Sequence, residues 1–217
     1  MRITLPAGTP AELVEPSGTP TRGLVVVPDI GGLRPLFDEH CRRLADENGW
    51  VVCAPEPFPG DEDLELSERM ERLGSMVDEE KLRDIRESAD VTRMETVSIV
   101  GFCMGGMYTL KAASTGRFHR AVSFYGMIRV PEIWEGPGQG QPLDYLEQGS
   151  SCPILAVIGA EDPWTPAADV DDLEAAGATV VRYAGAEHGF VHDPERPAYR
   201  PADAADAWRR ATEFLSE

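Results

Sequence analysis

The sequence predicts an α/β fold, in which a mainly parallel sheet of about seven to eight strands has helices on both faces. Three observations support this prediction. Short runs rich in Val, Ile and aromatic residues recur along the 217 residues. These runs are almost continuously apolar, as strands buried on both faces must be. The segments between most of them have the apolar spacing of amphipathic helices, and alternation of strand and helix is typical of parallel sheets.

The predicted elements follow one another in a regular order. Buried strands are predicted at residues 23–28, 50–55, 96–101, 121–126, 154–160 and 179–185. Before them, "RITL" and "AELVEP" are separated by "PAGTP" and predict an antiparallel hairpin at the edge of the sheet. Helices are predicted at residues 36–48, 64–89, 104–114, 167–176 and 201–215. Residues 135–151 are rich in Gly, Pro and Gln and predict a long surface loop.

Length and composition limit the domain organisation and the partners. A chain of 217 residues without internal repeat or linker is expected to form one domain, residues 1–217. The formal net charge of −18 repels phosphate backbones and acidic membranes, so we expect no nucleic-acid or membrane partner. The chain has no apolar stretch long enough to span a membrane, and its N-terminus lacks the apolar core of a signal peptide. These features predict a cytoplasmic protein.

The four cysteines predict free thiols, because none forms a CxxC pair and their spacing fits no zinc module. Cys41, Cys53 and Cys152 lie in or beside apolar segments and are interpreted as small buried hydrophobic residues. Cys103 is different, because glycines flank it where a predicted strand gives way to a predicted helix.

The segment around Cys103 has the pattern of a strained turn that presents a nucleophile. Gly101-Phe102-Cys103-Met104-Gly105 is G-x-C-x-G, which is the strand–turn–helix elbow of α/β-hydrolases with cysteine in place of serine. Glycines are needed two positions to either side because strand and helix pack tightly there. A helix N-terminus beside the sulfur also favours the thiolate, the nucleophilic form.

A base and an orienting acid follow in the order that this fold requires. Glu161 and Asp162 come after the fifth predicted buried strand, and His188 comes after the sixth. We assign the acid to Asp162 rather than to Glu161, because the following Pro163 fixes a turn and the shorter side chain suits a buried role. The sequence therefore predicts a Cys103–His188–Asp162 triad.

These motifs resemble the dienelactone hydrolase family over essentially the whole chain. The resemblance is carried by "VVVPDIGGLRPLFDEHCRRLADENGWVVCAPEPF", "VGFCMGGMYTL", "YG", "IGAEDPW" and "AEHGFVHD". It implies an α/β-hydrolase fold and hydrolysis of a small-molecule lactone or activated ester, with no metal or organic cofactor. It also implies an oxyanion hole made by the backbone N–H groups of Ile30 and Met104.

The resemblance implies further residues around the triad. The family usually has a glutamate that contacts the nucleophilic thiol, and this chain has Asp29 at that position. Phe58, Tyr125 and Trp164 are candidate apolar walls of the pocket, and each can equally be a core residue.

The end of the pocket that would hold a substrate carboxylate departs from the family. The two positions at which the family has arginines correspond to Gly60 and His192, and neither residue is a fixed cation. We therefore expect neutral lactones or esters to be preferred. The arginines that could replace the missing pair are Arg34, Arg69, Arg72 and Arg129.

Two alternative functions use the same residues. A thioesterase or a broad carboxylesterase would keep the triad and take a different substrate. A hydrolase-fold binding protein would have lost turnover, although the predicted nucleophile, base, acid and oxyanion glycines are all present.

Overall fold

The computed structural model describes residues 1–217 and contains one sheet of eight strands. The strands are β1 (Arg2–Thr4), β2 (Pro10–Val14), β3 (Arg22–Val27), β4 (Trp50–Pro55), β5 (Val97–Phe102), β6 (Ala121–Phe124), β7 (Ile154–Gly159) and β8 (Thr179–Tyr183). Their order is β1-β2-β4-β3-β5-β6-β7-β8. β1 and β2 form an antiparallel hairpin, and β2 also pairs antiparallel with β4. The other six strands, β4-β3-β5-β6-β7-β8 in sheet order, are parallel to one another. The predicted mainly parallel fold and its edge hairpin are confirmed.

Seven helices flank the sheet. They are α1 (Pro35–Asn48), α2 (Leu66–Arg72), α3 (Asp78–Val91), α4 (Met104–Ala113), α5 (Pro142–Gln148), α6 (Ala167–Ala175) and α7 (Pro201–Ser216). α4 packs against α3 and α5, whereas α1 meets α7 where the rings of His40 and Trp208 lie 5.6 Å apart. The strands between these helices are buried along their whole length, as their continuous hydrophobicity predicts. None of the helices combines the length and the apolar character needed to cross a bilayer.

The strand predicted to be buried at residues 179–185 is β8, which is largely exposed or half-buried because it is an edge strand of the sheet. Two other predicted elements differ from the structure. The helix expected at residues 64–89 is divided by a 3₁₀ turn at Leu73–Ser75, after which Met76 is extended and buried. Gly74 and Ser75 are weaker helix formers than most of the residues around them, and burial of Met76 stabilises the break. The loop expected at residues 135–151 contains the short helix α5. This helix begins with a proline in its first turn and buries Leu143 and Leu146 on one face, a spacing that the surrounding Gly and Gln residues obscure.

The topology brings two loops together at one edge of the sheet. β3 pairs with β4 on one side and with β5 on the other, so the direction of winding reverses between β3 and β5. Val27 at the end of β3 lies in register with Gly101 near the end of β5. Ligands of open parallel sheets bind at such a switch point, beyond the carboxyl ends of the strands. The segments that begin at Pro28 and at Cys103 both start there.

Candidate active site

Cys103 occupies a strained position between β5 and α4. Its backbone has φ 56° and ψ −122°, a conformation that non-glycine residues rarely adopt. Its N–H donates a 3.1 Å hydrogen bond to the carbonyl of Phe124 on β6. A Cβ on Gly101 would lie 2.2 Å from the carbonyl oxygen of Gly105, and a Cβ on Gly105 would lie 2.2 Å from that of Val27. The two glycines of the motif are therefore required by packing, as the sequence predicts.

His188 and Asp162 are joined by a direct hydrogen bond. The Nδ1 atom of His188 lies 2.8 Å from Oδ2 of Asp162, and the N–H of Trp164 donates to Oδ1 of the same carboxylate at 2.9 Å. The Asp162 side chain is fully buried, whereas Glu161 is exposed. The structure thus brings Asp162, and not Glu161, together with the histidine.

The surroundings of His188 favour its charged form. Burial acts to lower the pKa, but interactions with the side chains of Asp162 and Cys103 outweigh it and raise the pKa of His188 to about 9. Since Nδ1–H donates to Asp162, the other ring nitrogen, Nε2, is available to the sulfur. At neutral pH His188 is therefore an imidazolium, and it lies beside Cys103.

The two candidate oxyanion donors lie in segments that pack directly together. Met104 is the first residue of α4, so its N–H has no acceptor within the helix. The N–H of Ile30 donates to no protein acceptor. Gly105 packs its backbone against the carbonyls of Val27 and Pro28, which places the start of α4 against the loop that contains Ile30.

Asp29 is engaged by groups other than the thiol. Its carboxylate accepts hydrogen bonds from the N–H of Gly31 at 2.9 Å, from Nε2 of His192 at 2.8 Å, and from both terminal nitrogens of Arg34 at 2.6 and 3.0 Å. It makes no hydrogen bond to Cys103. Burial acts to raise its pKa, but His192 and Arg34 outweigh that effect and hold it well below the usual range. These hydrogen bonds therefore replace the expected contact with the thiol. They occupy both carboxylate oxygens of Asp29, whose side chain is shorter than that of the glutamate usual in the family.

His192 forms a buried link between Asp29 and Tyr125. The hydroxyl of Tyr125 is hydrogen-bonded to Nδ1 of His192, while Nε2 faces Asp29. Burial is the main cause that lowers the pKa of His192, so the ring is neutral at pH 7. The tautomer assigned from these partners has the proton on Nε2, and Tyr125 is then the donor to Nδ1. Only 1% of His192 is exposed, and both of its ring nitrogens have protein partners.

The three candidate pocket aromatics have different surroundings. The ring of Tyr125 lies edge-on to that of His188, with centroids 5.1 Å apart. Trp164 is half-buried and stacks on Trp134 at 5.0 Å, so it stays beside the acid. Phe58 is a buried residue of the main core: its N–H donates to Glu56, and the guanidinium of Arg69 lies over its ring.

The structure also contains buried groups that the sequence analysis missed. Glu56, directly after β4, accepts hydrogen bonds from the N–H groups of Leu33 and Phe58 and pairs with Arg69. It therefore supports the end of the loop that contains Ile30. An acidic residue directly after a buried strand was the available signal.

The four arginines considered as replacements for the family pair are all bound to carboxylates. Arg34 pairs with Asp29, Arg69 with Glu56, Arg72 with Asp61, and Arg129 with Asp169 and Asp172. None of them offers an uncompensated charge to a substrate.

The strained turn at Cys103 lies at the switch point of this sheet, and a hydrogen-bonded aspartate and histidine follow β7 and β8. This arrangement is typical of the α/β-hydrolase class. The model of the dienelactone hydrolase family matches residues 9–217. A "Putative carboxymethylenebutenolidase" from Synechocystis sp. is 30% identical over 88% of this chain and 84% of its own length. A "Probable 2-oxo-3-(5-oxofuran-2-ylidene)propanoate lactonase" from Bradyrhizobium sp. is 29% identical over 88% and 82%.

A solved structure supports the same fold. The "Putative Dienelactone Hydrolase" from Klebsiella pneumoniae superposes with a TM-score of 0.88, at 24% identity, over 100% of this chain and 98% of that one. The chain belongs to the dienelactone hydrolase family, and it is a hydrolase of lactones or esters.

Proposed function

We propose that the protein hydrolyses a small lactone through a covalent thioester, with Cys103 as nucleophile, His188 as base and Asp162 as the group that orients it. The observation that carries the proposal is the 2.8 Å hydrogen bond between His188 and the fully buried Asp162, formed beside the strained elbow of Cys103. We propose a lactone as substrate because the similar protein from Bradyrhizobium sp. is named as a probable lactonase.

In the first step of acylation, the proton of the Cys103 thiol has been transferred to His188. The thiolate attacks the lactone carbonyl carbon, and the carbonyl π electrons move to oxygen, where the N–H groups of Ile30 and Met104 donate hydrogen bonds. When the carbonyl re-forms, the ring C–O bond breaks, and His188 gives its proton to the departing oxygen. The product of this step is an acyl thioester on Cys103 with an open chain.

Hydrolysis of the thioester returns the enzyme to its starting state. His188 removes a proton from water, and the resulting hydroxide adds to the thioester carbonyl. The C–S bond then breaks, which releases a carboxylic acid and the thiolate. Asp162 keeps Nδ1 of His188 protonated and the ring oriented throughout, because its other oxygen is fixed by Trp164.

Asp29 has a positioning role in this proposal. Its carboxylate accepts hydrogen bonds from the N–H of Gly31 and from the side chains of Arg34 and His192. It therefore fixes the backbone at Gly31, the residue directly after Ile30. The buried link from Tyr125 to His192 and Asp29 therefore holds one oxyanion donor in place.

Selective alkylation tests the assignment of the nucleophile. Burial raises the pKa of Cys53 to about 12 and that of Cys152 to about 11, and it also raises the pKa of Cys41. These three thiols should therefore react slowly at pH 7.5, whereas Cys103 lies beside His188. We expect iodoacetamide to modify Cys103 first, with loss of enol-lactone hydrolysis in step with that modification.

The matched variants are Cys103→Ala and Cys152→Ser. The first should retain the circular dichroism spectrum and lose turnover, and the second should behave as the unmodified protein. Modification of Cys152 before Cys103, or lactone hydrolysis by Cys103→Ala at the normal rate, would contradict the proposal.

A further inference from the structure

Glu56 is a buried carboxylate that the proposed reaction does not use, and it contacts the loop between β3 and α1. Only 2% of the residue is exposed. Its Oε2 accepts a 2.8 Å hydrogen bond from the N–H of Leu33, and its Oε1 accepts one of 2.9 Å from the N–H of Phe58. The carboxylate therefore joins the segment after β4 to the end of the loop that contains Ile30.

The N–H of Ile30 differs from the N–H groups that follow it in this loop, because it donates to no protein acceptor. The next three N–H groups all have acceptors within the protein, which are the side chain of Asp29 for Gly31, the backbone carbonyl of Asp29 for Gly32 and the side chain of Glu56 for Leu33. These bonds fix the backbone after Ile30 and leave its own N–H available to an acceptor from outside the protein.

Arg69 is the cation that compensates the buried charge of Glu56. Its Nη1 lies 3.4 Å from Oε1 of Glu56, and only 5% of Arg69 is exposed. Its other two nitrogens donate to the backbone carbonyls of Leu64 and Glu62, which hold the guanidinium in the segment before α2. A carboxylate buried without a cation is costly, so this pairing stabilises the position of Glu56.

The ion pair lies directly against the loop. Gly32 has φ +66°, and a Cβ built on it would lie 2.6 Å from Nη1 of Arg69 and 2.6 Å from Oε1 of Glu56. Glycine therefore allows both the left-handed backbone and the close approach of the pair. The loop thus has a buried carboxylate on each side of Ile30, with Asp29 before it and Glu56 bonded three residues after it.

We infer that Glu56 is a positioning residue of the reaction, which directs the N–H of Ile30 to the oxyanion by fixing the loop at Leu33. Arg69 acts through Glu56, because it holds the carboxylate in place. The inference rests on the proposed function, in which the N–H of Ile30 donates to the oxyanion. Such a donor accelerates the reaction when it is fixed before charge develops on the oxygen, so its displacement lowers kcat more than it changes substrate binding.

Reversible addition of a small alkyl trifluoromethyl ketone to Cys103 measures the oxyanion donors without turnover. The sulfur forms a bond to the carbonyl carbon, the π electrons move to oxygen, and the thiol proton is held by His188, so the adduct carries an oxyanion. In Glu56→Gln one of the two oxygens becomes an amide nitrogen, which cannot accept from Leu33 or Phe58. We expect this variant to bind the ketone about 10- to 100-fold more weakly. Alkylation by iodoacetamide forms no oxyanion, and its rate should change by less than about twofold.

Two further variants separate positioning from stability. Asp78→Asn makes the same change in a buried carboxylate that pairs with Lys111 away from the loop, and it should leave the affinity for the ketone unchanged. Glu56→Gln/Arg69→Met removes both charges of the pair, so it should regain stability that Glu56→Gln loses without regaining affinity for the ketone. If Glu56→Gln does not fold, the double variant takes its place in the comparison. Unchanged affinity for the ketone in the Glu56 variants, or an equal loss in Asp78→Asn, overturns the inference.

Kinetics and amide exchange complete the test. With an enol-lactone, Glu56→Gln should lower kcat by about 10- to 100-fold and change KM by less than about threefold. In hydrogen exchange followed by NMR, the amide of Leu33 should accelerate by a larger factor than the amides of β5, which report the global stability. A loss confined to KM, or equal acceleration of Leu33 and β5, overturns the inference. If the enol-lactone is not hydrolysed by the unmodified protein while the ketone and exchange results are as expected, the proposed lactone substrate fails and the inference stands.

Discussion

Asp162 and Glu161 are adjacent acids with opposite environments, and this contrast decides which of them orients His188. Asp162→Asn keeps the volume of the side chain and removes its charge, so His188 loses the partner that fixes its protonated nitrogen. We expect kcat to fall by about 10³- to 10⁴-fold, as for other triad acids. Glu161→Gln alters an exposed side chain and should change kcat by less than about twofold. A larger loss in Glu161→Gln would mean that the acid is misassigned.

The pH profile tests the same residue in another way. The pKa of His188 is raised to about 9, and in the proposed reaction the imidazolium form of His188 gives its proton to the leaving oxygen. Lactone kcat/KM should therefore be sustained up to about pH 9 and should fall above it, when the leaving oxygen has no proton donor. In Asp162→Asn the alkaline limb should move to lower pH, because the main attraction for the imidazolium is lost. An alkaline limb that does not move in this variant would contradict the assigned cause.

The positions of Cys103, Asp162 and His188 could be predicted from sequence because each lies in the turn or loop after a strand, and strand ends can be recognised locally. The partners of Asp29 could not, because His192 lies 163 residues further along the chain and the hydrogen bond depends on how two loops meet.

At the scale of elements, helix α4 is attached at both ends. Its first turn packs on the end of β3 through Gly105, and its last turn contains Lys111, which is fully buried. The ammonium of Lys111 donates to both oxygens of Asp78 at 2.8 and 2.9 Å, and the same carboxylate accepts from the N–H of Gly140 and the hydroxyl of Tyr145. Asp78 therefore joins α4, the start of α3 and the segment before α5.

Lys111→Met should reveal the strength of this connection. The substitution keeps an apolar side chain of similar length and leaves the Asp78 carboxylate buried without its cation. We expect the free energy of unfolding in urea to fall by about 3 to 5 kcal/mol. The control is Arg117→Gln, which breaks the more exposed pair with Asp90 and should cost less than about 1 kcal/mol. A loss of less than about 1 kcal/mol in Lys111→Met would show that the buried pair does not stabilise the helix contacts.

Some secondary-structure elements could be predicted from sequence, and two features, the 3₁₀ turn at Leu73–Ser75 and the helix α5, could not. The central strands were recognised because their apolar runs are nearly continuous. The break at Leu73–Ser75 and the helix α5 depend on tertiary contacts, since Met76, Leu143 and Leu146 are buried by other parts of the chain. Local propensity favours neither feature strongly.

At the scale of the whole molecule, two buried neutral histidines connect stability to pH. His40 on α1 is packed between the rings of Phe102 and Trp208, and its Nε2 donates to the backbone carbonyl of His192 at 2.8 Å. Burial lowers the pKa of His40 to about 4 and lowers that of His192 as well. In the unfolded chain both rings have ordinary pKa values of about 6.5.

The sign of the pH dependence follows from these directions. Between about pH 6.5 and pH 4 the unfolded chain binds a proton at position 40 and the native protein does not, so the contribution of His40 to the free energy of unfolding decreases as the pH falls. The contribution of His188 has the opposite sign, because the native protein holds that proton up to about pH 9. From pH 8 to pH 5 His40 alone should remove about 2 kcal/mol of stability. His40→Gln cannot titrate, so over this range its free energy of unfolding should fall by about 2 kcal/mol less than that of the unmodified protein, whatever its stability at pH 8. His119→Gln changes an exposed histidine and should keep the slope of the unmodified protein. Equal slopes in urea titrations of His40→Gln and the unmodified protein at pH 5, 6, 7 and 8 would show that the core of this fold does not hold His40 neutral.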